Sequence, residues 1–262
     1  MFCIGITQKK EKYGPMMNSL IKTGVPIKLI EEIEPDDEVI IFHNKPVSVK
    51  AKKVGWWMCD LREPQTLGHS EYHFDKIFLC NTEFIEKYKE FYNTDVVYLP
   101  QCGDDTNFSA ESFWDIVWIG NFNSEYHNNR KDIIVKLQKE FNVKIVSGGD
   151  YSTENKYLYR DTPISLAISP QVAGYTSNRL YNILASGGFC LTLYYPEIEK
   201  EFENKKHLVW FKTPSEAVEL AKYYLEHQEE RNKIAKQGHK LYLEKHTGKH
   251  RVNFMLDKLD SV

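Results

Sequence analysis

The chain has 262 residues, 42% of them hydrophobic and 13% aromatic, which is enough apolar surface for one large core or two domain-sized cores and too much for a disordered chain. Its 34 Lys and Arg stand against 37 Asp and Glu, a formal net charge of −3, which excludes a protein that coats nucleic acid through a broadly basic surface. Five cysteines without C-x-x-C spacing argue against a disulfide framework or a structural zinc site, and no apolar run approaches the ~18 residues needed to cross a bilayer. Cys3, Cys59, Cys80, Cys102 and Cys190 sit mostly in apolar runs, so reduced core thiols in a cytoplasmic protein are expected, and no secretory signal is read at the amino terminus.

Phe2 to Thr7 is a short apolar run, followed by polar Gln8 to Lys12 and an apolar-periodic segment from Met16 to Ile21; the pattern predicts strand, loop and helix. No G-x-G-x-x-G follows that strand, so a nicotinamide-binding Rossmann unit is disfavoured. Glu38 to Phe42 predicts a buried strand ending at His43 and Asn44, and Val54 to Cys59 another ending at Asp60. Strand carboxyl ends are where open α/β sheets bind ligands, so His43 and Asp60 are the candidate bases. Lys52, Lys53 and Trp57 form a candidate acceptor-binding edge; the alternative is a solvated lysine turn beside a strand with only one of Trp56 and Trp57 in the core. Lys76 to Cys80 predicts a strand, Asn81 or Thr82 a cap for a helix through Tyr92, and Val96 to Leu99 a further strand. This alternation implies a parallel sheet.

The pattern restarts after Pro100 to Phe108. Asp115 to Ile119 predicts a strand, Gly120-Asn121-Phe122 a turn, Asn129 to Phe141 an amphipathic helix, Val143 to Ser147 a strand and Gly148-Gly149-Asp150 a turn. Ile164 to Ile168 and His207 to Phe211 predict strands, and Ser215 to Tyr242 a charged helix pair capped at Thr213 or Ser215. Between them runs SPQVAGYTSNRLYNILASGGFCLTLYY, from Ser169 to Tyr195. It holds a helix capped by Thr176 or Ser177, a stop at Gly187 and Gly188, and a strand from Phe189 to Leu193. A helix start presents unpaired N–H groups and favours an anion, and Arg179 adds a fixed charge, so Thr176, Ser177, Asn178 and Arg179 form a candidate phosphate-binding corner. An ordinary αβ unit with a solvated Arg179 is the competing reading at this point. Residues 1–110 carry 13 Lys and Arg against 17 Asp and Glu, and the remainder 21 against 20, so the second half is the more basic.

NRLYNILASGGFCLT (Asn178 to Thr192), PEIEKEF (Pro196 to Phe202), EERNKIAKQGHKLYLEKHT (Glu229 to Thr247) and Arg251 resemble, in order and spacing, the C-terminal domain of the CgeB-like (spore maturation protein) glycosyltransferases, relatives of the group-1 family with the GT-B fold. Pro100 to Phe108, with Gly103, Asp105 and Phe108, resembles the group-1 interdomain linker. The adjacent Asp104 and Asp105 sit in that turn-rich stretch rather than at a strand end, so no metal site is expected there. Two departures stand out: Asn182 occupies the place of the family's ribose-holding Glu, and Gly174 that of its other Glu.

The resemblance implies an α/β protein of two Rossmann-like, doubly wound domains with a cleft between them, the N-terminal one reduced: residues 1–110 on the acceptor side and 111–262 binding the donor. It implies a metal-independent glycosyltransferase without a cofactor, moving a sugar from a nucleotide-diphosphate sugar, a UDP-sugar by expectation, to an acceptor hydroxyl; a glycan, a protein and a modified DNA base are all open as acceptor, the last because the lysines and tryptophans from Lys50 to Trp57 could engage a phosphate backbone and stack on a flipped base. Gly120, Asn121 and Asn182 join the corner residues as donor contacts. An inactive nucleotide-sugar-binding protein and a nucleotide-sugar epimerase are the alternatives.

Overall fold

The runs FCIGI, EVIIF and KVGWWM offer no polar face, as strands buried on both sides of a parallel sheet require. In the computed structural model, which describes residues 1–8, 15–103, 114–121, 130–147 and 155–260, they become β1 (Phe2–Ile6), β3 (Glu38–Phe42) and β4 (Lys53–Met58). With β2 (Ile27–Leu29), β5 (Lys76–Leu79) and β6 (Val96–Tyr98) they form a parallel sheet ordered β2-β1-β3-β4-β5-β6. Helices α1 (Pro15–Ile21), α2 (Pro64–Leu67) and α3 (Ile85–Tyr92) lie between its strands in sequence. The predicted features on Lys9 to Lys12, Asp104, Asp105, Phe108, the 110/111 boundary, Phe122, Asn129 and Gly148 to Asp150 lie outside the described residues.

A second parallel sheet, ordered β11-β10-β9-β7-β8, comprises β7 (Ile116–Ile119), β8 (Val143–Val146), β9 (Ile164–Ala167), β10 (Cys190–Leu193) and β11 (Val209–Phe211). Alternate residues of β7 feed two cores. Ile116 and Trp118 pack with Ile133, Ile134 and Leu137 of α4 (Arg130–Gln138) and Ala217 and Ala221 of α7 (Pro214–Glu226). Val117 and Ile119 pack with Tyr159 of α5 (Asn155–Asp161), Leu180, Ile183 and Leu184 of α6 (Asn178–Ser186), and Tyr242 of α8 (Gln228–Lys245). Helices thus cover both faces, as in a doubly wound sheet. Thr213 caps α7 as its sequence predicts, its hydroxyl accepting from the Glu216 N–H at 3.2 Å.

The chain divides into two compact units: Met1–Gln101 with Ala173–Tyr175 and Gly248–Val262, and Cys102–Val172 with Thr176–Thr247. The return of α9 (Gly248–Asp260) to the first unit has no local sequence signal. Two buried contacts fasten it there: the Gly248 N–H donates to Ser19 Oγ at 3.0 Å, and Arg251 donates to the Gln101 carbonyl.

The tryptophan pair departs from the reading in which one of them is solvent-facing. Trp56 and Trp57 are both fully buried. Trp56 packs among Phe74, Tyr88 and Tyr92 and donates to the His43 carbonyl; Trp57 lies edge-on to Phe42 and donates to the Leu99 carbonyl. Opposite faces of a strand are both interior when both sides of the sheet are covered.

Candidate functional site

In an open parallel sheet, ligands bind beyond the strands' carboxyl ends, where successive connections leave in opposite directions. In the first sheet that point lies between β1 and β3, because β1 pairs with β2 on one side and β3 on the other. A cavity of about 500 Å³ opens there. It is lined by Ile6, Thr7 and Gln8 beyond β1, Phe42, His43 and Asn44 beyond β3, Trp57, Cys59 and Asp60 at the end of β4, and Met17 of α1.

The two candidate bases therefore share one pocket. His43 Nδ1 lies 3.0 Å from the Lys45 carbonyl oxygen and 3.3 Å from the Lys45 N–H, so the tautomer decides which contact is made. Either contact leaves Nε2 as the uncommitted ring nitrogen. Asp60 is more engaged: Oδ1 accepts from the Leu61 N–H at 2.9 Å and Oδ2 from Arg62 Nε at 3.0 Å.

In the second sheet the same logic puts the switch between β7 and β9, since β7 pairs with β8 on one side and β9 on the other. Two arginines meet there. Arg179, in the first turn of α6, donates from Nε to the Ile119 carbonyl and from Nη1 to the Ile168 carbonyl at 3.2 Å. Arg130, at the start of α4 and 4% exposed, donates to the Asn121 carbonyl and, at 2.8 Å, to the same Ile168 carbonyl. Both guanidinium carbons lie 5.6 Å from the Trp118 ring centroid, a geometry that favours cations over an aromatic face. A Cβ on Gly120 would stand 2.2 Å from Arg179 Nη2, so a side chain there would displace the guanidinium. Carbonyl oxygens orient these arginines, and Arg179 meets no carboxylate among the described residues.

The helix start differs from the sequence expectation. Ser177 takes the N-cap position, but its side chain does not cap α6. Its hydroxyl lies 2.8 Å from Ser169 Oγ, and that of Thr176 lies 2.5 Å from the Tyr195 hydroxyl. Both are turned inward, toward Ser169 and Tyr195, rather than back onto the start of α6. Asn178 is half-buried, and Asn182 is buried in the middle of the helix.

Gly174 has a local cause for its identity. Its φ is +65°, and a Cβ would lie 2.7 Å from the Thr82 side chain, so a Glu there would be both strained and obstructed. Lys52 and Lys53 are not brought to either switch point. They lie at the amino end of β4, opposite His43 and Asp60, with Lys52 paired to Glu38 at 2.8 Å and Lys53 donating to the Leu259 carbonyl at 2.9 Å. These two lysines, expected at an acceptor-binding edge, therefore stand at the end of β4 away from the cavity, since a strand's two ends are separated by about 3.3 Å per residue. Trp57 does line the cavity, but as part of its floor. Arg130 was missed in the sequence, although it stands in the first helical turn after a strand and a glycine turn, a setting resembling that of Arg179.

Residues 130–257 match the model of a glycosyl transferase-like family. No curated protein matches the chain in sequence. Among solved structures, the chain is similar to T4 phage BGT in complex with UDP-glucose, at 11% identity and a TM-score of 0.63 over 93% of this chain and 94% of that one. Similarity to Anabaena HepE in complex with UDP and glucose covers 100% of both chains at 8% identity, with a TM-score of 0.65. T4 phage BGT with UDP and Mn²⁺ is also similar, at 9% identity and a TM-score of 0.59, over 93% and 94% of the chains. This is the GT-B fold. Within it, the family match begins at Arg130 and includes Arg179, so both guanidinium groups lie in the matched segment.

Proposed function

We propose that the protein is a glycosyltransferase that moves a hexosyl or pentosyl group from a UDP-sugar to an acceptor hydroxyl, on the CgeB-like branch of the GT-B enzymes. The observation carrying this reading is the pair of carbonyl-oriented guanidinium groups at the β7/β9 switch point. That the similar structures hold UDP or UDP-glucose supports giving those groups to the donor's diphosphate. Arg179 and Arg130, with Gly120, Asn121, Thr176, Ser177 and Asn178 around them at the start of α6, bind the diphosphate; Asn182 is retained as the ribose contact.

The cavity at the β1/β3 switch point takes the acceptor. His43, with Nδ1 donating to the Lys45 carbonyl, accepts the acceptor's hydroxyl proton on Nε2 while Asp60 orients that hydroxyl. The acceptor oxygen then bonds to the anomeric carbon, and the electron pair of the broken glycosidic bond leaves on the diphosphate oxygen. Charge growing there is stabilised by fixed guanidinium groups, so their contribution is larger in the transition state than in the ground state. The scheme routes no step through a divalent metal.

The acceptor is a glycan, a protein or a modified nucleobase. BGT is a DNA-modifying enzyme, but the lysines that motivated the DNA reading are engaged at the other end of β4, so a glycan or protein hydroxyl is favoured. The test is turnover of a UDP-sugar panel, with and without EDTA, against acceptor extracts. Release of UDP that depends on acceptor and survives EDTA is expected. Tight UDP binding with no turnover of any donor would favour an inactive binding protein, and sugar isomerisation without an acceptor an epimerase.

A further inference from the structure

The β4–β5 ladder ends at Met58 and Leu79, so the Cys59 carbonyl lies just past the ordered edge, one residue before Asp60. A buried side chain reaches it. Gln101, 3% exposed, donates from Nε2 to the Cys59 carbonyl at 2.6 Å and lies 3.9 Å from Cys80 Sγ. Gln101 is itself held, because its own carbonyl accepts from Nε and Nη2 of Arg251 at 3.2 and 3.0 Å. Arg251 is 6% exposed and comes from α9, 150 residues along the chain. Hydrogen bonds from a charged donor in a buried setting are among the stronger ones, and here two of them grip a single carbonyl.

We infer that Gln101 is a positioning residue of the β1/β3 cavity: its amide fixes the Cys59–Asp60 backbone, and Arg251 fixes Gln101. The functional half of this inference rests on reading that cavity as the acceptor pocket. Asp60 lines the cavity next to Cys59, and its carboxylate is oriented by contacts to its own following residues, Leu61 and Arg62. Such local contacts travel with the segment. They set the carboxylate's orientation within it, whereas Gln101 sets where the segment lies. Misplacement by about 1 Å at a reacting centre can cost as much as 10²-fold in rate.

The test is Gln101→Met, which keeps length and removes the donor. Three quantities are measured at a temperature where circular dichroism shows the variant folded: kcat of transfer, KM for the donor, and the iodoacetamide labelling rate of Cys59. Cys59 is half-buried, while Cys3, Cys80, Cys102 and Cys190 are buried, so Cys3 and Cys190 report any general loosening. The expected result is a roughly tenfold or greater loss of transfer kcat with donor KM unchanged, and labelling of Cys59 several-fold faster with Cys3 and Cys190 unchanged. Wild-type labelling of Cys59 in the variant would overturn the inference whatever the enzyme does. Faster labelling with unchanged kcat would overturn its functional half. If the wild-type protein turns over no donor, the glycosyltransferase reading fails, and the labelling comparison still decides whether Gln101 holds the segment. Should Gln101→Met not fold, Arg251→Lys, which keeps the charge but not the two-nitrogen grip, carries the same readouts.

Discussion

Arg179 carries two duties whose consequences separate. Its guanidinium is tied to the Ile119 and Ile168 carbonyls and also points its remaining donors at the switch point. Arg179→Ala should therefore lower kcat by about 10²-fold, the scale of losing one charge-stabilising donor. It should also cost about 1–3 kcal/mol of stability, because the Ile119 carbonyl loses its guanidinium donor while the Ile168 carbonyl keeps Arg130. Arg179→Lys keeps the charge but cannot reach both carbonyls, so steady-state kinetics should put it between the two. The helix start and the charge of Arg179 are legible in the sequence, but the anchoring of its guanidinium is not. Its tie to carbonyls 60 and 11 residues away is a tertiary fact that no local pattern encodes. For Lys52 and Lys53 the charge is visible in the sequence, but which end of β4 they occupy, relative to the cavity, is not.

At the scale of elements, buried parallel strands were legible because a sheet covered on both faces demands continuous apolar runs, and EVIIF in particular begins and ends where the sequence places it. The three-residue β2 and the helix α5 were not read, the first being too short for a pattern and the second too polar. The turn into β3 contributes a pH dependence. Asp37, 3% exposed, accepts from Lys28 Nζ of β2 at 2.5 Å and from the Glu34 N–H at 2.9 Å. These bonds, chiefly the one from Lys28, hold its carboxyl down to about 2. The unfolded chain, with an ordinary carboxylate near 3.9, takes up the proton first as pH falls. The stabilisation from Asp37 is thus fully present above about pH 4 and is lost as pH drops toward about 2. Asp37→Asn should accordingly be less stable than wild type at pH 7 in urea unfolding, with the difference shrinking across that window. A difference unchanged from pH 7 to pH 2 would contradict the ion pair's role.

For the whole molecule, the GT-B fold persists at about one residue in ten identical to its structural relatives, which is expected when architecture depends on apolar pattern and connection order rather than on side-chain identity. What the sequence could not supply was the long-range closure: α9 returning to the first unit, and segment 173–175 joining it. Both depend on contacts such as Arg251 to Gln101 and Ala173 to Thr82 that link residues far apart in the chain. On this reading, the arginine pair at the β7/β9 edge binds a nucleotide diphosphate. Calorimetric titration of UDP and of uridine into wild type and Arg179→Ala measures this directly. Wild type should bind UDP at least about tenfold more tightly than the variant does, the equivalent of a charge-assisted hydrogen bond of about 1.4 kcal/mol or more, while uridine should bind both alike. Equal affinity of the two proteins for UDP, or no UDP binding by the wild type, would contradict it.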